Sequence, residues 1–302
     1  MNSPVLQTGP GEGPAGSLLV LAAAVLWGTT GTALALAPAG ADPVSVGAVR
    51  ISVGGAALVA FAAWRGGMLP LGRWPLAATA AAAAGVAAYQ PFFFAGVSRT
   101  GVAVGTVVAI GSAPVMAGLV GFLFRGERPG PRWAAATVLA VLGCGLLVGV
   151  GGGSAGVDAL GVLSALGAGL SYGAYATASK NLLDHRLPQA AVMAAAFGLG
   201  GILLSPVLLF SDLGWLGEPG GVAAALHLGL VATAAAYLLF VLGLAGIPVA
   251  TAATLSLAEP LTAGLLGVLL LGERLGPVAL AGAGLLLFGL LLAAGPRRRV
   301  PA

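Results

Sequence analysis

Residues 114–131 read PVMAGLVGFLFRGERPGP, and residues 260–277 read PLTAGLLGVLLLGERLGP. Eleven of the 18 positions are identical, and the second block begins 146 residues after the first in a chain of 302. A period close to half the chain length means two copies of one unit, a fact that comes before any assignment of roles to residues. Each block is an apolar run that starts at a proline and ends in a Gly-Glu-Arg turn, so the unit is built of membrane helices. Duplicated membrane halves are the common build of transporters.

Composition agrees. Hydrophobic residues make up 59% of the chain and charged residues 7%, against about 25% charged in a soluble domain. The chain reads as an all-α integral membrane protein. Cys144 is its only cysteine, which excludes an internal disulfide, and no Cys/His cluster has zinc-site spacing, so no metal and no cofactor is expected. The net charge of +4 comes from basic residues at helix ends, where topology explains them, and no nucleic-acid partner is expected. Twelve arginines to one lysine amid abundant Ala and Gly suggest a bacterial genome rich in GC.

About 20 apolar residues cross the hydrocarbon core. Ten such runs are bounded by Pro, Gly, Arg or Asp: 17–37, 43–64, 74–97, 102–124, 131–150, 157–179, 188–210, 221–244, 249–271 and 277–294. They divide the chain into an N-terminal tail (1–16), a first five-helix repeat (17–150), a Gly-rich linker (151–156), a second repeat (157–294) and a basic tail (295–302). With both termini cytoplasmic, the inner side receives Arg65, Arg73, Arg125, Arg128, Arg132, Lys180, Arg186 and Arg297 to Arg299, and the outer side only Arg99 and Arg274. That asymmetry follows the positive-inside rule and places the protein in a bacterial inner membrane as a multi-pass protein. Five spans per half is odd, so the second repeat runs in the opposite sense and the repeats are inverted. The Ala-x-Ala sequence at Ala33–Ala35 follows an apolar run that no Lys or Arg precedes, so the first span reads as an uncleaved helix.

Leu26-Trp27-Gly28, Arg50, the Pro114–Glu127 pattern, its copy Pro260–Glu273, and Gly143 and Gly289 together resemble the EamA-type transporters of the drug/metabolite transporter superfamily. The resemblance covers about 17–294 and rests on the order of ten spans and two Gly-Glu turns. It implies a ten-helix bundle whose central cavity is lined mainly by helices 1, 3, 4, 6, 8 and 9, with helices 5 and 10 peripheral. It implies a small-molecule substrate, with export of metabolites or amino acids more common than uptake.

Glu259 is the only acidic residue deep inside a span. A mid-membrane ionisable group costs about 2.5–3.5 kcal/mol on insertion scales and should face the bundle interior with a partner. It reads either as a proton-coupling or substrate-amine site or as a protonated carboxyl bonded to a neighbouring helix; Ala113 holds the matching place in the first copy. Pro114 and Pro260 each remove a backbone hydrogen bond mid-span and are candidate helix breaks. Trp27-Gly28 and Tyr172-Gly173 are equivalents at an offset of 145, and with Tyr89, Gln90 and Tyr237 they are the candidate cavity residues. Arg50, eight residues into span two, reads first as an anchor that snorkels to the outer side and otherwise as the partner of a carboxylate; His227 reads as interfacial, and Lys180 as the cytoplasmic end of span six. Glu127 and Glu273 sit beside arginines at helix ends, where local pairing and capping explain them.

Gly169-Leu-Ser171-Tyr-Gly173 fits G-x-S-x-G, but that motif needs a strand-turn-helix elbow and here lies inside a helical span. The sequence contains no G-x-x-x-x-G-K-[ST] phosphate loop. The expectation is a non-enzymatic secondary transporter working by alternating access, with protons as a candidate coupling ion and the lipid bilayer as its surroundings. Its rivals are an intramembrane serine hydrolase using Ser171 and His227, and a non-transporting receptor or assembly protein.

Overall fold

The computed structural model describes residues 14–38, 40–66, 73–149, 158–272 and 274–295. The linker 151–156, Glu273 and the tail beyond residue 295 lie outside them, as do residues 1–13. Ten described helices are long and apolar enough to cross a membrane. They are α1 (Pro14–Ala35), α2 (Pro43–Trp64), α3 (Leu76–Thr100), α4 (Val102–Arg125), α5 (Pro131–Gly149), α6 (Ala159–Asp184), α7 (Gln189–Leu209), α8 (Pro219–Gly246), α9 (Val249–Leu271) and α10 (Pro277–Ala294).

Their ends follow from local chemistry. Asp42 caps α2 by accepting from the Val44 and Ser45 amides, with Pro43 pre-set for the first helical position. Asp158 caps α6 through the Leu160 amide. Gly126 and Gly272, the glycines of the two Gly-Glu turns, close α4 and α9 at φ of 65° and 71°, a left-handed conformation that favours glycine. Span six needs correction. It does not end near Lys180 but continues to Asp184, because the Lys180 ammonium finds protein partners and need not reach water.

Two helices are irregular. Inside α8 the stretch His227–Ala235 is π-helical, with the Thr233 hydroxyl donating to the Leu228 carbonyl five residues back. The second irregularity is in α9, which breaks at Leu257 into Val249–Ser256 and Ala258–Leu271. Pro260 has no N–H for the Ser256 carbonyl, while the Leu257 amide turns tightly onto the Thr254 carbonyl at 3.1 Å. Pro114 is corrected: α4 runs unbroken through it. Its neighbours Ile110 and Ala113 offer no polar group to stabilise an interruption, whereas Ser256 and Glu259 hold those places in α9.

The packing maps onto itself when each helix is exchanged with the helix five places away. α3 packs on α6 and α8 on α1; α4 packs on α6 and α9 on α1; α2–α7 and α5–α10 are their own images. Single residues repeat the pattern. A Cβ at Gly143 would meet the backbone of Leu286, and one at Gly289 the backbone of Ala140, 146 residues from each partner's counterpart. Gly55 abuts the Phe197 carbonyl and Gly201 the Ile51 carbonyl, again exchanged by 146. Gly28 lies against Thr262 of α9, and Gly173 against Met116 and Ala117 of α4. Small residues at these crossings let backbones approach where lipid supplies no hydrophobic drive for helix association.

Candidate functional site

The centre of the bundle is an aromatic cluster. Trp27 of α1 lies 4.9 Å from Tyr237 and 5.5 Å from Phe240 of α8, ring centre to ring centre. Phe197 of α7 lies 4.2 Å from Tyr237, and Tyr175 of α6 contacts Phe197, Tyr237, Phe240 and Tyr172. Tyr172 in turn lies 6.1 Å from Phe240. Three predicted residues, Trp27, Tyr172 and Tyr237, therefore meet in one place.

Tyr172 also reaches the break in α9. The Ser256 hydroxyl donates its proton to the Ala252 carbonyl at 3.0 Å, so at the 3.0 Å contact between the two hydroxyls Tyr172 is the donor. The break thus places Ser256, Glu259 and the tyrosine edge on one side of the cluster. Gly28 is the reason α1 comes so close here, since the Glu259 carbonyl stands 2.8 Å from where a Cβ would be.

Arg50 of α2 belongs to the same group. It lies within electrostatic reach of Glu259, Tyr89 and Tyr237. Neither Arg50 nor Glu259 takes part in an ion pair or hydrogen bond among the described residues, and the Arg50 Nε is buried without a partner. The Trp27 indole N–H is likewise buried and unpartnered. From sequence Arg50, eight residues into its span, is open to anchoring or to pairing with a carboxylate; depth along one helix does not reveal which face the residue takes. Tyr89 approaches the group from α3 and stacks on Phe93 at 5.7 Å. Gln90 is buried, its amide oxygen beside Gly47 of α2, one turn from Arg50.

The residues of the hydrolase reading are not brought together. Ser171 donates to the Gly167 carbonyl of its own helix at 2.8 Å. His227 meets the Thr29 hydroxyl at 2.8 Å; since Thr29 donates to the Leu26 carbonyl, the His227 Nε2–H is the donor. Each candidate is engaged elsewhere.

The EamA-like transporter family matches residues 14–149 and, a second time, 159–295. The chain belongs to that family. The two matched stretches take in α1–α5 and α6–α10, the same division that the exchanged packing follows. Among relatives, the chain is 46% identical to "Uncharacterized transporter YwfM" of Bacillus subtilis (strain 168) over 206 residues, 68% of this chain and 69% of that protein. A solved crystal structure shares the fold with a TM-score of 0.81 at 24% identity, covering 93% of this chain and 97% of its own. This EamA-like chain is therefore a multi-pass membrane transporter of a bacterial transporter family.

The EamA-like fold also holds a polar assembly that sequence reasoning misses. Lys180, 9% exposed, donates to the carbonyls of Leu244, Ala245 and Ile247 at 2.6, 2.8 and 3.1 Å. Glu127 accepts from the Val249 amide at the start of α9 and pairs with Arg125, which also pairs with Asp184 at 2.7 Å. Glu127 pairs locally with Arg125, as expected, but the expectation that it caps its own helix end is corrected: its other oxygen caps α9, a different helix. A groove of about 390 Å³ lies beside it, lined by Glu127, Pro129, Trp133, Pro248 and Thr251. The available signal is Lys180 as the sole lysine of a chain rich in arginine.

Proposed function

We propose that the protein is a secondary active exporter that moves a small zwitterionic metabolite, of the amino-acid type, by alternating access of two inverted five-helix halves. The supporting observation is that Arg50 and Glu259, within electrostatic reach of each other at an aromatic-lined centre, make no ion pair or hydrogen bond among the described residues, with the Arg50 Nε and the Trp27 indole N–H buried and unpartnered. Buried polar groups in native structures are almost always satisfied, so orphaned donors point to a ligand that completes them. A carboxylate fits the guanidinium fork, and an ammonium fits the Glu259 carboxylate. The faces of Trp27, Tyr172 and Tyr237 supply apolar contact for a side chain and attraction for a cation.

Inversion is favoured by the self-mapping of the packing together with five spans per half. The distribution of arginines supports cytoplasmic termini, and ten apolar helices of a bacterial transporter family support an inner-membrane location. Coupling to protons would use Glu259, which binds either a proton or the substrate amine, each excluding the other.

The test uses full-length protein in liposomes and efflux of labelled L-leucine, with isopentylamine and 4-methylpentanoate as analogues that carry only one of the two charges. Leucine should move and both analogues fail. Arg50→Gln and Glu259→Gln should each lower leucine flux by about tenfold or more, the scale of a lost charge-assisted bond. Equal transport of an analogue bearing one charge, or wild-type flux in both variants, refutes the zwitterion reading. For Glu259→Gln, flux that no longer varies with pH supports proton coupling and an unchanged pH profile refutes it.

A further inference from the structure

The two ends of the bundle are not equivalent, although the sequence repeats. On α1 Gly28, Gly31 and Ala35 follow at intervals of one turn, Gly31 and Ala35 lying four and eight residues beyond Trp27 on its face. Gly28 is buried, Gly31 is exposed with only open space within 4 Å of where a Cβ would stand, and Ala35 is exposed. The equivalent stripe on α6, offset by 145, is Gly173, Ala176 and Lys180, and all three are buried. Helix α9 and helix α4 differ in the same sense. All eight residues of Val249–Ser256 are buried. Among their counterparts in α4, residues 103–110, only Gly105 and Ala109 are.

The sealed end is also the end that carries the polar assembly. Lys180 of α6 clasps the last carbonyls of α8, and Glu127 of α4 caps the first amide of α9. Together they hold the α8–α9 junction from both sides, and the Arg125–Asp184 pair ties α4 to α6 behind it. Ala35 replaces Lys180 at the equivalent place on α1, and Leu271 replaces Arg125 at the end of α9, so the opposite end cannot form the same assembly.

We infer that Lys180 and Glu127 are gating residues: a latch that closes one mouth of the transport pathway around the α8–α9 junction and must open once in each transport cycle. Under the arginine-based orientation this is the cytoplasmic mouth, which the latch holds closed in this structure. The inference rests on the alternating-access reading but not on the identity of the substrate. A charged hydrogen bond is strong when its partners are withdrawn from water, yet among the described residues three carbonyl dipoles and no carboxylate are in contact with Lys180. Water or substrate entering that mouth replaces such a contact readily, as a gate requires.

The test places a single cysteine at either end of the pathway in full-length Cys144→Ala protein in liposomes. Gly31→Cys reports one mouth and Ala176→Cys the other, through labelling by a membrane-impermeant maleimide supplied to each side in turn and without substrate. With the latch intact, the Gly31 position should react and the Ala176 position stay protected. Lys180→Met should raise Ala176 labelling by about tenfold and lower Gly31 labelling, a population shift between two states. Glu127→Ala should act in the same direction and serves if Lys180→Met does not fold. Unchanged protection at Ala176 in the folded variants overturns the inference. So does labelling that rises at both ends together, which is general loosening and not a latch. Loss of leucine efflux with reciprocal labelling intact sinks the substrate reading and leaves the latch standing.

Discussion

Helices α4 and α9 begin from nearly the same sentence of sequence and end as different objects. Both carry a mid-span proline, both finish at a left-handed glycine before a glutamate, and both pack on the partner half through the same small-residue contact. Yet α4 is continuous and half-exposed along its first turns, whereas α9 is broken at Leu257 and buried throughout its first segment. The difference lies in three substitutions between the copies. Ser256 stands for Ile110, Glu259 for Ala113, and Lys180 for Ala35 on the helices that pack against them. A proline alone removes one hydrogen bond, and a helix in a bundle tolerates that loss. In α9 the break coincides with Ser256, which bonds to the Ala252 carbonyl and to Tyr172, and with Glu259. The repeated residues specify the fold and the unrepeated polar ones specify what each half does.

The largest effect tests the shared part. Gly28→Leu and Gly173→Leu each drive a side chain into the backbone of the opposite half. Overpacking costs about 1–3 kcal/mol even where neighbours can yield, and backbone atoms yield least. Both variants should lose most folded protein by size-exclusion chromatography and to a similar extent. If only one of them collapses, the two crossings are not mechanical equivalents and the comparison between halves fails at its base.

Next comes the unshared part. Pro260→Ala restores an N–H for the Ser256 carbonyl and should straighten α9; Pro114→Ala does the same in a helix that is already continuous. Leucine efflux per folded molecule should fall by about tenfold for the first and by less than about twofold for the second, since only the first changes the geometry around Glu259. Equal losses would mean that bending at both prolines carries the cycle and that the break is incidental.

These contrasts show where the sequence is readable. Ten spans, the duplication and the aromatic residues at the centre are legible because each depends on composition or on spacing within one helix. Trp27, Tyr172 and Tyr237 can be matched through their positions in the repeats. The role of Arg50 is not legible, since its significance depends on the rotation of α2 relative to α9. Lys180 is misread for a related reason: a lysine near a helix end has a topological explanation that needs no partner, and the carbonyls it binds lie more than 60 residues away.

A smaller effect sharpens the account of the break. The Tyr172–Ser256 hydrogen bond joins α6 to the residue before the break. Tyr172→Phe and Ser256→Ala, made singly and together, form a cycle whose coupling should be about 0.5–1.5 kcal/mol, measured by unfolding in detergent. A coupling near zero would assign the break to Leu257 and Pro260 without help from the tyrosine.

The smallest effect contrasts the two ends. Away from the latch, the described ion pair is Arg99–Asp158 at 3.1 Å, with half and more than a third of the two side chains exposed. The Leu160 amide, and after it the Arg99 guanidinium, hold the Asp158 carboxyl below its ordinary value of 3.8. A lowered folded value means that the stabilisation is complete above 3.8 and fades as pH falls through the folded value. Asp158→Asn isolates the charge, because asparagine caps a helix about as well as aspartate. At neutral pH the melting temperature should change by no more than about a degree, since exposed pairs contribute little and salt screens them. On acidification the wild type should converge on the variant, which has no carboxyl to protonate. Breaking the latch with Lys180→Met, by contrast, should change labelling at both ends with no dependence on moderate salt. A large, salt-sensitive loss at Asp158 would show that the open end is also clasped, and the mechanical asymmetry between the two mouths would then have to rest on burial alone.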